Sequence, residues 1–339
     1  MRAPGFWGER RPSLLALCLS PLGALYGAFT AWRMAQPGSR VEIPVICIGN
    51  FVAGGAGKTP AAIAIAGLLL GMGERVAFLS RGYRGAGGAG VIAVDPDMHS
   101  AEAVGDEPLL LARIAPCFVA RDRRLAAQAA IAAGASVIVL DDGLQSPALA
   151  KDLSLAVVDG GAGFGNGLCV PAGPLRAAPA RQMPHISAVL FVDGVSDASL
   201  AAHKAVSAKP ILNARLEPDP VVAANLRNQN VLAFAGIGRP GKFFATLEAL
   251  GAHVIVARSY ADHHLYSSTQ LDALLTEAAG LGLTPVTTQK DFVRLPRVEV
   301  QKVTALPVAM RFDDERKVVA ILAETLAQRR AAFVVPKKA

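Results

Sequence analysis

The segment Ile48-Gly49-Asn50-Phe51-Val52-Ala53-Gly54-Gly55-Ala56-Gly57-Lys58-Thr59-Pro60 constrains this chain more than any other. It follows a short β-branched run, Ile43 to Ile48, and it opens a stretch, Lys58 to Leu70, whose apolar residues recur at helical spacing. A strand that turns through glycines into a helix gathers backbone N–H groups around one point at the helix N-terminus, where an anion is stabilised. Glycines 54, 55 and 57 permit that inward turn, Lys58 can reach the outer oxygens of a polyphosphate, and the Thr59 hydroxyl can ligate magnesium. The common G-x-x-x-x-G-K-S/T pattern fails only at its first glycine, where Val52 stands, so the loop from Val52 through Ala53 and Ala56 to Thr59 is a variant of it. A glycine-rich turn with an incidental lysine is the plain alternative. The Gly57-Lys58-Thr59 ending behind a strand argues against it.

The rest of the first half agrees with such a loop. Runs at Arg75 to Leu79, Cys117 to Ala120, Ser136 to Leu140 and Leu155 to Val158 are apolar and separated by helical spacers such as Arg123 to Ala133. Strands of that kind are buried on both faces of a parallel sheet. A glycine-rich stretch, Gly160 to Gly167, and a proline-rich one, Pro171 to Pro184, precede another strand at Ala188 to Val192. After a polar stretch near Leu216 to Pro220, a second series begins with Val231 to Ala235 and continues through His253 to Ala257 and Pro285 to Thr288. The 339 residues suit two domains of roughly 100 to 200 residues each. The expected fold is α/β, a P-loop NTPase-like parallel sheet with an N-terminal membrane-associated helix and a second, smaller α/β domain. Its expected parts are residues 1–36, the helix; 37–217, the P-loop domain; and 218–339, a domain closing over the site. Gly85 to Gly90 reads as a mobile loop.

From Pro12 to Trp32 no residue is charged, and arginines stand on both sides. The length suffices to span a bilayer, but Pro21 at its middle and positive charge on both flanks weaken that reading. An interfacial helix, with Trp7, Tyr26 and Trp32 at headgroup level, meets each objection and is preferred. A cleaved leader is set aside, because the phosphate loop that follows needs a cytosolic nucleotide pool. Hydrophobic residues at 52% suit a membrane-associated enzyme, and a net charge of +7 suits anionic partners. With 6% aromatic residues and no basic run among them, nucleic acid is not expected. Cys18, Cys47, Cys117 and Cys169 lack metal or redox spacing and read as buried thiols.

Val137 to Leu140 lead into Asp141-Asp142-Gly143-Leu144-Gln145, placing two carboxylates at the end of a strand, a Walker-B position. Either aspartate could hold magnesium. Ser80-Arg81-Gly82-Tyr83, Gly105-Asp106-Glu107-Pro108 and Arg121-Asp122-Arg123-Arg124 also fall where ligands gather on an open parallel sheet, at or near its strand ends. Gly236-Ile237-Gly238-Arg239-Pro240-Gly241 imitates a dinucleotide fingerprint, but no acidic residue ends a later strand at the required distance, and Pro240 reads as opening a helix.

Together these segments resemble the tetraacyldisaccharide 4′-kinase family over nearly the whole chain. The resemblance extends to Gly165-Asn166-Gly167, Pro171 to Arg176, Asp262-His263-His264 and Thr287-Thr288-Gln289-Lys290-Asp291, with Leu144 and Gln289 standing where Phe and Glu would be expected. It implies transfer of the γ-phosphoryl group of ATP, with Mg2+, to the 4′-hydroxyl of a lipid disaccharide 1-phosphate, on the cytosolic face of the bacterial inner membrane, by a monomer. It further implies Asp106 as base supported by His263, and Lys58 on the phosphates. Thr59, Asp141, Asp142 and Glu107 would stand around the metal. Asn50, Arg81, Gly82, Tyr83, Arg123, Gln145, Asn166 and Arg176 would meet the substrate, while His264 would be structural. Two other functions compete: a membrane-associated regulatory P-loop ATPase of the deviant Walker-A type, whose signature lysine is absent at Ala53, and a non-catalytic nucleotide-sensing scaffold.

Overall fold

In the computed structural model of the chain the described residues are 4–9, 11–81, 90–298 and 300–334, with residues 333 and 334 described by backbone only. Gly82, Tyr83 and most of the glycine-rich loop at Gly85 to Gly90 lie outside them.

Among the described residues the strands are β1 (Val45–Asn50), β2 (Val76–Ser80), β3 (Ile92–Ala93), β4 (Cys117–Val119), β5 (Val137–Asp141), β6 (Leu153–Asp159), β7 (Ala188–Val192) and β8 (Ile211–Pro218). They continue with β9 (Asn230–Ala235), β10 (His253–Ser259), β11 (Thr284–Thr288), β12 (Thr304–Leu306) and β13 (Val308–Phe312). The larger sheet runs β13-β8-β7-β6-β1-β5-β2-β4-β3 and the smaller β10-β9-β11-β12. From β8 to β4 the larger sheet is parallel, with β1 at its centre between β5 and β6. Every residue of β1, β2, β5, β6 and β7 is buried, which is why these strands read as unbroken apolar runs. One face carries the helix Lys58–Gly71 and the terminal helix Glu315–Val334, through Ile65, Leu69, Val318 and Leu322. The helix Arg123–Ala132 covers the other face through Ala126, Ala127 and Ala130.

The division expected at residue 218 does not match the sheets. Strand β13 pairs antiparallel with β8, so the chain leaves the larger sheet after β8, builds the smaller one and returns. The sequence hid this because β8 and β13 lie at an edge. Their outward residues Asn213, Arg215, Glu217 and Arg311 gave the stretch a polar look.

The N-terminal helix spans Leu14–Met34, capped by Ser13, whose side chain accepts from Ala16 N. Pro21 has no N–H to offer Leu17, and the Ser20 hydroxyl donates to that carbonyl at 2.8 Å instead. Ala16, Gly23, Gly27, Thr30 and Met34 form the buried stripe. A Cβ on Gly23 would lie 2.6 Å from Cys169 O, and one on Gly27 2.7 Å from Cys169 Sγ, so only glycine allows this approach. Leu14, Leu15, Leu22, Leu25, Phe29 and Trp32 remain exposed, as does Cys18, contrary to its expected burial. Trp7 also departs from expectation: its indole N–H donates to Pro171 O at 3.0 Å, turning the ring toward the protein.

Candidate active site

Strand β1 delivers the phosphate loop at the centre of the larger sheet. Asn50 is fully buried and donates to Gly54 O at 3.0 Å, bracing the loop from within, so it does not reach the cleft as the resemblance implied. Gly57 has φ 83, a left-handed conformation that suits glycine, and immediately precedes the helix Lys58–Gly71. Lys58 Nζ lies 3.2 Å from Gly54 O and 3.5 Å from Asp142 Oδ2. Burial pulls its ammonium below the ordinary lysine range despite the neighbouring carboxylates.

The segment after Pro171 clasps the same loop. Ala53 N donates to Pro174 O at 2.6 Å and Arg176 N to Phe51 O at 2.9 Å. The Arg176 guanidinium spans Val52 O at 3.0 Å, Gln145 Oε1 at 3.0 Å and Asp142 Oδ2 at 2.9 Å. Gln145 in turn donates to Asn50 O and to Gln182, a buried glutamine the sequence gave no reason to single out. Arg123 is buried and donates to the carbonyls of Asp141 and Asp142, which fixes the turn that carries them. Arg176, Gln145 and Arg123 thus serve the site's own framework.

Asp141 and Asp142 each keep a buried Oδ1 without a hydrogen-bond partner among the described residues. Burial, then the Asp142 charge, pushes the Asp141 carboxyl up to about 7. Burial pushes Asp142 the same way, but Lys58 and Arg176 outweigh it and hold that carboxyl below the ordinary range. Two unpartnered, buried carboxylate oxygens side by side fit a divalent cation, with Thr59 buried at the first turn of the adjoining helix.

A second cluster joins the two sheets. Gly105, at φ 96, turns Asp106 into the first position of the helix Asp106–Ala112. His263, itself at φ 57, stands with Nδ1 3.2 Å from both Asp106 oxygens. Arg294, buried, donates to Asp106 Oδ2 from Nε at 3.0 Å and again from Nη2, and its Nη1 donates to Gly236 O and Asp291 Oδ1. Lys290 Nζ lies 2.5 Å from Glu107 Oε1 and 3.9 Å from Asp106 Oδ2. Burial raises the Asp106 carboxyl, but the hydrogen bond with His263 and the charges of Lys290 and Arg294 overcome it and leave Asp106 far below the carboxylate range. The hydrogen bond to Asp106 raises His263 above its ordinary 6.5. Asp106, Glu107 and His263 are close enough to hold an ion together. With Lys290 and Arg294 already supplying two positive charges, that trio needs none, so Glu107 stands with Lys290 rather than with the metal carboxylates.

Other expected residues are dispersed. Asn166 donates to Phe6 O and Ala172 O, tying down the N-terminal segment instead of meeting substrate. Arg81 is exposed beside the cleft. His264 lies against Tyr260 and reaches Gln270, a structural place. Leu144 is buried against Gly49, where a Cβ would sit 2.5 Å from the leucine's own. Sequence reasoning missed Arg294. Its signal was faint: three residues after Asp291, it shares that residue's helical turn.

A glycine-rich loop on the central strand of a parallel sheet, a Walker-B pair at the end of its neighbour and a charged cluster reaching across from a second sheet define a nucleotide-dependent phosphotransferase of the P-loop class. The comparisons narrow this further. Residues 15–327 match the family model described as tetraacyldisaccharide-1-P 4′-kinase, LpxK. The chain is 53% identical over 330 residues to the tetraacyldisaccharide 4′-kinase of Methylobacterium sp. (strain 4-46), covering 97% of this chain and 99% of that one. It is 50% identical to the enzyme of the same name from Rhodospirillum rubrum, covering 93% and 95%. The crystal structure of LpxK from Aquifex aeolicus in complex with ATP superposes with a TM-score of 0.75 at 26% identity, over 92% of this chain and 100% of that one. The chain belongs to the tetraacyldisaccharide-1-P 4′-kinase family.

Proposed function

We propose that this chain transfers the γ-phosphoryl group of ATP to the 4′-hydroxyl of a tetraacyl disaccharide 1-phosphate, forming lipid IVA on the cytosolic face of a bacterial inner membrane. The observation that carries this reading is the meeting of Asp106 from the P-loop side with His263 from the second sheet, at 3.2 Å, in one cleft with Lys58 and the Asp141–Asp142 pair. The family membership supports the acceptor.

The triphosphate lies along Gly54 to Thr59, where Lys58, partly desolvated, acts on the charge of the transferring group. Asp141, Asp142 and Thr59 would hold a magnesium ion, which would supply charge neutralisation at the phosphates. Arg176, paired with Asp142 and Val52 O, keeps the loop and that carboxylate in register. As the acceptor oxygen bonds to the γ-phosphorus, the bond to the β–γ bridging oxygen breaks and ADP departs. The alcohol proton passes to the Asp106–His263 pair and from there to solvent. With Asp106 held by Arg294, the pair can take a proton only while the imidazole is neutral. The two sheets closing on both substrates would exclude water from this transfer.

The helix Leu14–Met34 is long and apolar enough to cross a membrane. Its stripe against Cys169, Ala172 and Ala177 favours a helix lying in the interface with its leucines in the acyl region.

The test is incubation with labelled ATP and a chloroform-soluble disaccharide 1-phosphate, followed by chromatography of the lipid fraction. Label in the lipid is expected. ATP hydrolysis indifferent to the lipid would identify a regulatory ATPase, and no turnover at all a nucleotide-sensing scaffold.

A further inference from the structure

The Gly236 to Gly241 turn serves no dinucleotide, yet it delivers two cations into the cleft. Arg239 precedes Pro240 at the start of the helix Pro240–Ala249, and Lys242 lies in its first turn. Arg239 Nη2 pairs with Asp159 Oδ2, while Lys242 Nζ is 2.6 Å from Asp193 Oδ2 and 3.8 Å from Asp159 Oδ2. Both aspartates belong to the larger sheet, at the ends of β6 and β7. Each has its other oxygen occupied by backbone: Asp159 Oδ1 accepts from Gly161 N at 2.9 Å and Ala162 N at 3.0 Å, and Asp193 Oδ1 from Leu216 N at 2.9 Å. Asp193 also holds φ 63, a costly conformation for a non-glycine residue. The carboxylates are therefore fixed, whereas Arg239 and Lys242 stay 44% and 45% exposed on long, mobile side chains.

Their position relative to the phosphate loop gives them a ligand. Asn50 on β1 stands opposite Val157 on β6, so Asp159, two residues further, flanks the start of the loop. A Cβ on Gly57 would lie 3.7 Å from Val192, the residue before Asp193. The other side of the loop, over β5 and β2, is taken by Asp141, Asp142 and the Asp106 cluster. A nucleotide with its outer phosphates at Lys58 must then carry its inner phosphates toward β6 and β7, beneath Arg239 and Lys242.

We propose that Arg239 and Lys242 form a phosphate-binding arm, brought from the second sheet onto the α- and β-phosphates of the nucleotide, and that Asp159 and Asp193 are the resting anions it leaves. The inference rests on the reading that the nucleotide occupies the Gly54 to Thr59 loop. A fixed ionic latch between the sheets is the competing explanation, and the two differ in sign. If the carboxylates compete with phosphate, removing their charge tightens nucleotide binding; if they form a latch, removing either partner weakens it.

The measurement is the dissociation constant of the full-length, detergent-solubilised protein for Mg-ATP and Mg-ADP, with the unfolding temperature as a check on folding. The double variant Arg239→Gln/Lys242→Gln should bind both nucleotides about tenfold more weakly, by the same factor, because the α- and β-phosphates are common to both. Asp159→Asn and Asp193→Asn keep the backbone acceptor, and asparagine tolerates the left-handed backbone at position 193; each should bind ATP several-fold more tightly. Wild-type affinity in the cation variant, a loss confined to ATP, or weaker binding in both aspartate variants would overturn the arm. Lys58→Ala is the separate control: if it keeps wild-type ATP affinity and turnover, the loop assignment itself fails, whatever the arm variants do.

Discussion

The cluster around Lys58 and the cluster around Asp106 both set carboxylates against cations but have opposite construction. Lys58, Asp142, Arg176 and Gln145 all belong to the larger sheet's own framework, and their contacts form as that one body folds. Asp106 belongs to the same body, yet its partners His263, Lys290 and Arg294 arrive from segments after β10 and β11 of the smaller sheet. The first cluster is therefore preorganised, and the second is complete only when two bodies stand in one relation. On the proposed function, this would separate phosphate binding, which can be rigid, from proton removal, which would be conditional on closure.

The contrast between a preorganised and a jointly assembled cluster has measurable consequences of different size. Lys58→Ala should lower kcat by about a thousandfold or more with the unfolding temperature little changed, since the loss is of charge acting on the transferring group. Near-normal turnover would remove the rigid half of the contrast. Asp106→Ala and His263→Ala should each cost roughly 10²–10⁴ in kcat, and the double variant should be little worse than the more damaged single one. Strict additivity in that cycle would mean the two do not act together.

Arg294→Met tests the joint between the bodies. It leaves a buried Asp106 charge short of its main partner, so a loss of about 3–5 kcal/mol in the stability of the joined state is expected, read by denaturant unfolding. A variant as stable as the parent would show that the bodies do not depend on this pair.

The pH profile gives a smaller effect. Asp106 raises the His263 pKa above 6.5, so kcat should fall as pH drops through a value above that point, and the fall should move to lower pH in Asp106→Asn. An unmoved acid limb would detach the imidazole from the proton step. The smallest effect is expected at the membrane face: Leu22→Ser with Leu25→Ser should shift protein toward the soluble fraction while activity on detergent-dispersed substrate persists. Periplasmic protease access to a tag before the helix would instead show a spanning segment.

The phosphate loop, the apolar strands that flank it and the Asp141–Asp142 turn were legible in the residues, because backbone conformation and burial on both faces leave short-range patterns. Those patterns located β1, β5 and the helix after Gly57 to within a few residues. The fate of the polar side chains was not legible. Asn50, Arg123 and Asn166 look like ligands in a motif, but each donates to backbone carbonyls of the protein itself. Nothing local distinguishes a side chain that turns inward from one that turns out. The return of β13 to β8 and the grip of Arg294 on Asp106, 188 positions apart, likewise exist only in three dimensions. Sequence alone determined which backbone could cradle a phosphate, since that depends on neighbours along the chain. The tertiary structure decided which charges meet across the cleft, since Coulomb interaction depends on distance in space and on what water has been excluded between them.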